Sequence, residues 1–320
     1  RECILEHGGE IHFSTCVDES LFRNLIANSQ YPITDNRKPI LGIILAIGHS
    51  AHDTYQMLHD NGVALATKGF AMGVRAEHPQ ALINRLMYHD PSPELIQLIG
   101  NASYSLVTQV QGRGVYSFCM CPGGEVINAS SFSGGIAVNG MSNSKRDSKN
   151  ANSALLVNVL PEDFEDADVL AGTVFQEKIE RAAYSLAGGK VPINTVGNFV
   201  FGKEFKLGRV KPTVKPDVVY SDFTEIFPKF IIESLKEGIV EFGKKIKGFD
   251  QDDAVLTAPE TRSSAPVRIL RDENFNSCSA KGLYPCGEGA GYAGGIMSAA
   301  IDGIQSAEAL IAQLEENAHG

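Results

Sequence analysis

The sequence predicts an α/β protein in which a doubly wound sheet is interrupted by an inserted α+β domain with a largely antiparallel sheet. Three patterns predict this fold class. Residues 40–47 form a continuous apolar run, as in a parallel strand that is buried on both faces. Residues 70–159 contain short strand candidates closely spaced by Gly, Asn, Ser and Pro, which is typical of antiparallel sheets. Residues 282–314 indicate a buried strand, a glycine-rich turn and a helix.

Length and composition agree with two globular domains. The chain has 320 residues, of which 43% are hydrophobic and 21% are charged. Its net charge of -10 argues against a nucleic-acid partner, since phosphates require a basic surface. No apolar run approaches the roughly 18 residues of a transmembrane helix, and no signal peptide is visible. Six cysteines without a regular framework favour reduced thiols, so we expect a cytoplasmic protein without a membrane partner.

The first 62 residues predict part of a doubly wound sheet that is entered part-way through. The predicted elements are a helix end at residues 1–8, a strand at 10–17, a polar, turn-rich excursion at 18–39, the apolar strand at 40–47, and a helix that begins at the N-cap Ser50 and ends near Gly62. The chain also begins with Arg1 rather than Met. We therefore expect a processed product or a fragment that begins inside a domain.

The middle of the chain predicts the inserted domain. Its strand candidates are residues 70–77, 104–109, 115–120, 125–131, 136–140 and 153–159, and its helix candidates are residues 168–187 and 223–246. A proline-rich connection around Pro212 and Pro216 joins the two helices. Because the parallel-sheet signal returns only after Val255, we assign residues 68–254 to the inserted domain and residues 1–67 and 255–320 to the first domain.

The glycine-rich turn follows the predicted strand 283–286 and carries one acid, Glu288. Gly289, Gly291 and Gly294 satisfy G-x-G-x-x-G, but the dinucleotide fingerprint opens a βαβ unit and is followed by an acid about 20 residues on. Here no strand follows. Two interpretations remain open: a tight helix entry with packing glycines, or a site where a cofactor meets a strand end and a helix start. In the helix, apolar residues recur with a helical period at 296, 300, 304, 307, 311 and 314.

Several long stretches carry a resemblance to a known family. They are residues 45–54, 116–124, 139–142, 242–250 and 260–268, together with the opening residues. In these stretches the chain resembles bacterial FAD-dependent dehydrogenases, which are often labelled NAD(FAD)-utilising. It is similar, more distantly, to flavoproteins with two dinucleotide-binding domains. The resemblance covers essentially the whole chain and implies a Rossmann-like FAD/NAD(P)-binding domain.

The resemblance also implies roles for particular positions. The acid that ends the last strand, Glu288 here, binds the ribitol of FAD in that class. The following glycines and the helix start lie against the pyrophosphate and the flavin ring, and an early strand contacts the adenine. The positions implied to bind cofactor are Val17, Ala46, Gly48, Gly287, Glu288, Gly289, Gly291, Gly294, Gly295 and Ile296. The class begins with a G-x-G-x-x-G segment that this sequence lacks, so we expect impaired FAD binding in this chain.

Three residues are candidates for the substrate side of the flavin. Cys119 and Cys121 precede Pro-Gly-Gly. A redox thiol pair or a pair of metal ligands is disfavoured, since C-x-C lacks the C-x-x-C geometry and no second cysteine pair completes a zinc site. The two cysteines either line the substrate side of the flavin or pack as two small hydrophobes in a buried strand. Arg262 either binds an anionic substrate or forms a structural ion pair. For His49 and His52 near a helix start a structural role is favoured over acid/base chemistry. Arg75 and Glu77 share a strand face, for which the simplest interpretation is a solvated edge. No metal site is predicted.

Two hypotheses follow for the function. In the first, the intact protein is a flavoenzyme that transfers hydride between FAD and a small substrate held between the two domains, with NAD(P)H open as the electron donor. In the second, the chain is a non-catalytic domain that binds a nucleotide or a partner through a retained flavoprotein fold. Bound flavin distinguishes the two.

Overall fold

A computed structural model describes residues 1–30 and 40–319, and the chain divides into two compact units. The first unit consists of Arg1–Ile47, Asp53–Leu65 and Ile269–Gly320. The second consists of Gly48–His52 and Ala66–Arg268. Each unit is described by itself below.

The elements follow one another along the described residues. The first part of the chain has α1 (Glu2–Glu6), α2 (Glu19–Gln30), β1 (Ile43–Leu45), α3 (His52–Asp60) and β2 (Leu65–Thr67). The middle has β3 (Phe70–Pro79), α4 (Gln80–Tyr88), α5 (Pro93–Ile99), β4 (Val107–Val110), β5 (Arg113–Cys121), β6 (Gly124–Asn128), β7 (Val138–Ser142) and β8 (Asn150–Val159). The rest has α6 (Ala171–Leu186), β9 (Val191–Thr195), α7 (Val196–Phe201), β10 (Val218–Tyr220), α8 (Lys229–Lys245), β11 (Val255–Glu260), β12 (Val267–Ile269), β13 (Leu283–Pro285) and α9 (Ile296–His319).

The second unit is built around a seven-stranded sheet with the order β10-β9-β11-β3-β8-β5-β4. Every neighbouring pair in it is antiparallel except β10 and β9, which are parallel. The prediction of a mixed α/β chain with a large, mostly antiparallel sheet is therefore confirmed. The central strands β3 and β8 pair along ten residues each, from Phe70 opposite Val159 to Pro79 opposite Asn150.

Helix α8 packs on this sheet because its apolar positions recur on one face. Leu235, Ile239 and Phe242 are buried in the same core cluster as Val115 of β5. Gly238 lies on that face, and a Cβ added there would lie 2.6 Å from a Val115 methyl group. The absence of a side chain at position 238 thus allows the close approach of helix and sheet.

Strand β11 belongs to this sheet rather than to the first unit. Val255 pairs with Thr195 of β9 on one side and with Glu77 of β3 on the other. The sequence interpretation placed residues 255–320 in the first domain because the apolar strand signal returns there. A central antiparallel strand that is buried throughout has the same apolar run as a parallel strand. The sequence pattern therefore could not distinguish the two, and residues 255–260 were assigned to the wrong sheet.

The first unit contains one parallel strand pair, β1 with β13, in which Ile43 lies opposite Leu283. Several expectations differ from what is observed here. Residues 10–17 form no strand, and Ile44 of β1 is 41% exposed rather than buried on both faces. Helix α3 begins at His52, two residues after the predicted cap. Of the polar excursion expected at 18–39, α2 occupies the first part, and residues 31–39 lie outside the described residues.

Helix α9 leaves much of its predicted apolar stripe exposed. Asp302 and Ser306 are buried, whereas Ile296, Ile304 and Ile311 of the predicted apolar stripe are more than half exposed. The helix has this orientation because Asp302 is bonded to the chain that precedes the helix, as described below. Among the helices of the described residues, none is long and apolar enough to cross a membrane.

Candidate functional site

The glycine turn, residues 286–295 between β13 and α9, is a tightly bonded segment of the first unit. Gly287 and Gly291 have φ values of 75° and 82°, in the left-handed region that glycine adopts without strain. The N–H of Gly291 donates to the Glu288 carbonyl at 3.0 Å, and the N–H of Tyr292 donates to the Gly287 carbonyl at 3.2 Å. These two glycines are therefore required by the backbone itself.

An ion pair between Arg271 and Asp302 fixes the start of the turn. Arg271 donates from both Nη atoms to the two Asp302 carboxylate oxygens, at 3.0 and 2.6 Å. Asp302 also accepts the Gly287 N–H at 2.6 Å, and Arg271 Nη1 donates to the Pro285 carbonyl at 2.7 Å. One buried carboxylate thus joins α9 to the end of β13. Burial acts to raise the pKa of Asp302, but the hydrogen bonds from Arg271 and Gly287 outweigh it and lower the pKa.

Aromatic side chains complete the support of the turn. The Arg271 guanidinium lies 3.7 Å from the ring centroid of Tyr292 and 4.2 Å from that of Phe275. Tyr55 of α3 is fully buried, and its hydroxyl donates to the Gly289 carbonyl at 2.8 Å. The turn is consequently held by side chains from α3, α9 and the segment before β13.

The start of α9 is open at Gly294, in contrast to the turn that precedes it, although the Gly295 N–H donates to Ser298 Oγ at 3.1 Å. Gly294 and Gly295 have no positive φ, and a Cβ at Gly294 would meet no atom within 4 Å. Neither backbone conformation nor packing in the described residues therefore requires glycine at position 294. The first N–H groups of a helix have no carbonyl one turn back, and this end of a 24-residue helix carries a partial positive charge. The geometry suits an anionic group that approaches the backbone closely.

Replacing Asp302 with Asn is expected to lower the free energy of unfolding at pH 7 by about 2–3 kcal/mol, because Arg271 loses its charged partner. Because folding lowers the pKa of Asp302, the wild-type protein is more stable than the variant above the pKa of Asp302 in the unfolded state. This difference in the free energy of unfolding is lost as the pH falls through the pKa of Asp302 in the folded state. Urea unfolding at pH 7 and at about pH 3 measures both effects.

Glu308→Gln, an exposed change on the same helix, is the control and should alter stability by less than about 0.5 kcal/mol. A destabilisation by Asp302→Asn that is equally large at both pH values would contradict the assignment.

The other predicted cofactor positions lie in different surroundings. Glu288 is half-buried within the turn, and Ile296 is 90% exposed at the start of α9. Val17 is 46% exposed in an irregular segment, so the strand that was to place it against adenine is not formed. Ala46 is exposed directly after β1, and Gly48 has a φ of 68° in the segment assigned to the second unit. The contacts of these five residues with a cofactor remain predictions.

A second cluster lies inside the sheet of the second unit, around Arg75. This arginine is fully buried and donates from Nε and Nη2 to the two carboxylate oxygens of Glu260, at 2.7 Å each. Its Nη1 donates to Asn152 Oδ1 at 2.8 Å, and its Nη2 to Asn139 Oδ1 at 3.2 Å. Burial acts to lower the pKa of Arg75, but Glu260 more than offsets this and raises it.

The two candidate thiols lie at one end of this cluster. Strand β5 shifts register between Phe118 and Cys121, and Cys119 within the irregularity has a φ of 42°. Arg75 Nη1 donates to the Cys119 carbonyl at 3.2 Å. The Cys121 thiol donates to the same carbonyl at 3.3 Å. Burial raises the pKa of Cys121 despite the nearby guanidinium, so this thiol is protonated at neutral pH.

Arg262 lies in a different cluster of the second unit. It donates from Nε and Nη2 to the two carboxylate oxygens of Glu180 on α6, at 2.6 and 2.8 Å, and from Nη1 to the Ser50 carbonyl at 3.3 Å. Arg262 therefore forms an ion pair within the second unit. Its other predicted role, binding of an anionic substrate, remains a prediction. His52 is buried between Gln176 and Glu177, at 3.1 and 3.2 Å, which agrees with the favoured structural role. Burial, followed by the charge of Arg262, lowers the pKa of His52.

The interpretation of Arg75 and Glu77 as a solvated strand edge is wrong. Both are fully buried, as is His78, because β3 is the central strand of the sheet. Glu77 accepts from the Thr213 hydroxyl at 2.6 Å and from Asn150 at 3.0 Å. Polar residues alternate along a strand in the same way whether their side chains hydrogen-bond to water or to residues far away in the sequence. The sequence around Arg75 and Glu77 therefore does not identify their partners.

Among the side chains that the structure describes, no group of three or more His, Cys, Asp or Glu is suited to a metal ion. Among the positions that the sequence predicted, the open helix start of α9 and the thiols beside Arg75 have surroundings that suit function. The protein is thus of the mixed α/β class, and its segment from β13 through the glycine turn to α9 suits an anionic group.

Comparison with known proteins identifies the family. Residues 69–263 match the family described as FAD-dependent protein, C-terminal domain-like. The chain belongs to this family of FAD-dependent flavoproteins. It is also similar to an uncharacterized protein of Clostridium beijerinckii, with 45% identity over 324 residues. The alignment covers 98% of this chain and 60% of that relative, so the chain spans about 60% of the length of the curated relative it matches.

Proposed function

We propose that the intact protein is an FAD-dependent oxidoreductase that transfers hydride between the flavin and a small organic substrate. The open start of α9 supports this proposal most directly. A glycine that neither φ nor packing requires stands at the N-terminus of a long helix, in a chain that belongs to an FAD-dependent family. Close approach of a diphosphate to the backbone accounts for that glycine.

The residues of the first unit fit parts of FAD that differ in chemistry. The N–H groups at the start of α9 would bind an anionic oxygen of the cofactor, and Gly294 and Gly295 leave room for it. Glu288 would accept hydrogen bonds from ribitol hydroxyls, since a carboxylate is a strong acceptor. When bound, FAD supplies the hydride chemistry, and the protein supplies binding, orientation and electrostatics.

The second unit supplies the proposed substrate contacts. Cys119 is exposed and Cys121 is half-buried, and both are tied to Arg75 through the Cys119 carbonyl. Because the pKa of Cys121 is raised, its thiol is a poor nucleophile at neutral pH. We therefore assign the two cysteines to the wall of the substrate site rather than to covalent catalysis. Arg262 is engaged by Glu180 and Ser50, and its proposed role is to hold the segment after β11 in place.

Flavin binding is the direct test of the proposal. The chain and the full-length Clostridium beijerinckii relative should each be purified, incubated with FAD and freed of unbound cofactor. We expect the visible absorbance of protein-bound flavin, with reduction of that flavin by a suitable hydride donor. If neither protein retains FAD, the proposal is overturned, and a non-catalytic domain that binds a nucleotide or a partner is the better account.

Replacing Glu288 with Gln is expected to weaken FAD binding about tenfold in the protein that retains it, since a charged acceptor becomes neutral. Titration followed by flavin fluorescence gives the dissociation constant. Glu273→Gln changes an exposed acid outside the turn and is the matched control. Unchanged affinity in the Glu288 variant would show that this residue does not bind the ribitol.

A further inference from the structure

A basic cavity of about 620 Å³ lies in the second unit, and neither Cys119 nor Cys121 lines it. Its charged lining residues are Arg85, Lys149, Arg209 and Lys211. Among the described residues no carboxylate lines it, although acids outnumber bases in the chain by 38 to 28. A volume in this range is typical of small-molecule sites. The local charge is therefore opposite to that of the protein as a whole.

The cations converge from three separate segments. Arg85 lies in α4, Lys149 directly precedes β8, and Arg209 and Lys211 lie in the connection between α7 and β10. A run of basic residues along one exposed helix is usually a solvated face. Cations that come together from distant positions around a concavity instead create a local positive field that attracts an anion.

Three of the four cations are available to a ligand. In the described residues, Arg85, Lys149 and Lys211 form no ion pair. Arg209 donates from Nε to Asp253 at 3.1 Å and from Nη2 to Gln251 Oε1 at 3.3 Å. The positive charge around the cavity is thus largely uncompensated by protein groups.

The backbone that presents these cations is fixed by buried polar groups. Asn150 Nδ2 donates to the Lys211 carbonyl at 2.9 Å and to Glu77 at 3.0 Å. The N–H of Gln80 donates to the Lys149 carbonyl at 2.9 Å. Glu77 is fully buried and also accepts from Thr213, whose hydroxyl is 2.6 Å away. Glu77 of β3 therefore helps to position the segment that carries Arg209 and Lys211, a role that the sequence did not predict.

The cavity wall also contains a donor without a partner. Gln251 Nε2 is buried and has no hydrogen-bond acceptor in the described residues. A rotation of the Gln251 side chain towards a bound acceptor would satisfy it, since an unpaired buried amide is destabilising.

We propose that this cavity binds a small molecule that carries a phosphate or diphosphate group. A planar carboxylate suits a single arginine fork, whereas phosphate oxygens point in several directions and can engage cations from several segments at once. The proposal does not depend on flavin binding, since every residue of the cavity lies in the second unit.

Isothermal titration of the chain with inorganic pyrophosphate at low salt tests the proposal. We expect saturable binding that weakens as salt is added. In the double variant Lys149→Ala/Lys211→Ala the affinity should fall by about tenfold or more, because two of the four cations are removed. The matched control Lys190→Ala/Lys229→Ala removes the same charge at exposed positions outside the cavity and should change the affinity by less than about twofold.

Three results would overturn the proposal. They are an absence of saturable pyrophosphate binding by the wild-type chain, an equal loss of affinity in the control variant, and tighter binding of citrate than of pyrophosphate. The last result would show a polycarboxylate site instead. Thermal unfolding of both double variants verifies that they fold, and a flavin titration of the same preparations shows whether FAD binding is retained independently.

Discussion

Replacing Glu260 with Gln is expected to lower the free energy of unfolding by about 3–5 kcal/mol, the largest stability effect that we predict for a single residue. Glu260 and Arg75 are buried to 4% and 0% exposure in the side chain, and two 2.7 Å hydrogen bonds join them. The substitution preserves shape but removes the negative charge. Arg75 then stays as a buried cation with only neutral acceptors, Asn152, Asn139 and the Cys119 carbonyl.

Urea unfolding followed by circular dichroism gives the change in stability. Glu165→Gln makes the same chemical change in an ion pair whose side chains are 83% and 64% exposed, and should cost less than about 1 kcal/mol. A loss below about 1 kcal/mol for Glu260→Gln would mean that water reaches Arg75. In that case the pair does not rigidify the segment that carries Cys119 and Cys121.

Replacing Gly294 with Asp is expected to weaken FAD binding by about 100-fold or more in the intact protein, with little change in the stability of the FAD-free form. An aspartate at the start of a helix is favourable for folding because it faces the positive end of the helix dipole. A Cβ at position 294 would meet no protein atom within 4 Å. The same carboxylate would occupy the space of an anionic cofactor oxygen and repel its charge.

Thermal unfolding without FAD and a flavin titration separate the two effects. Gly303→Asp is the matched control, since it places an identical charge further along the same helix, where a Cβ again meets no atom within 4 Å. Nine residues of helix put it about 13 Å from position 294, and the FAD affinity should change by less than about twofold. Equal FAD affinity in the Gly294 variant and the wild type would exclude the start of α9 as the cofactor site.

Strands β3 to β8 could be predicted from local patterns because each alternates or runs apolar between turn residues. Strand β9 could not, since Pro192 lies within it and proline argues against an interior strand. The sheet nevertheless places β9 between β10 and β11. Tertiary pairing thus outweighed the local preference at that position.

The candidate site was predictable where its residues are close in sequence. Gly287, Glu288 and Gly291 form one turn, and their pattern identified it. The supporting pair of Arg271 and Asp302 was missed because the sequence offers no signal that pairs two residues 31 positions apart. Arg75 and Glu260 are 185 positions apart, and only the register of β3 and β11 brings them together.

The Arg271–Asp302 pair restricts the conformational freedom of the glycine turn, independently of any ligand. Fixing each backbone residue carries an entropic penalty of roughly 1–2 kcal/mol. Residues 287–292 are held by hydrogen bonds within the protein, so we expect this penalty to be met during folding. A ligand that bound to this turn would therefore meet a preorganised backbone and would retain more of its interaction energy as affinity. In this respect the turn resembles a preformed binding site rather than a loop that closes around a ligand.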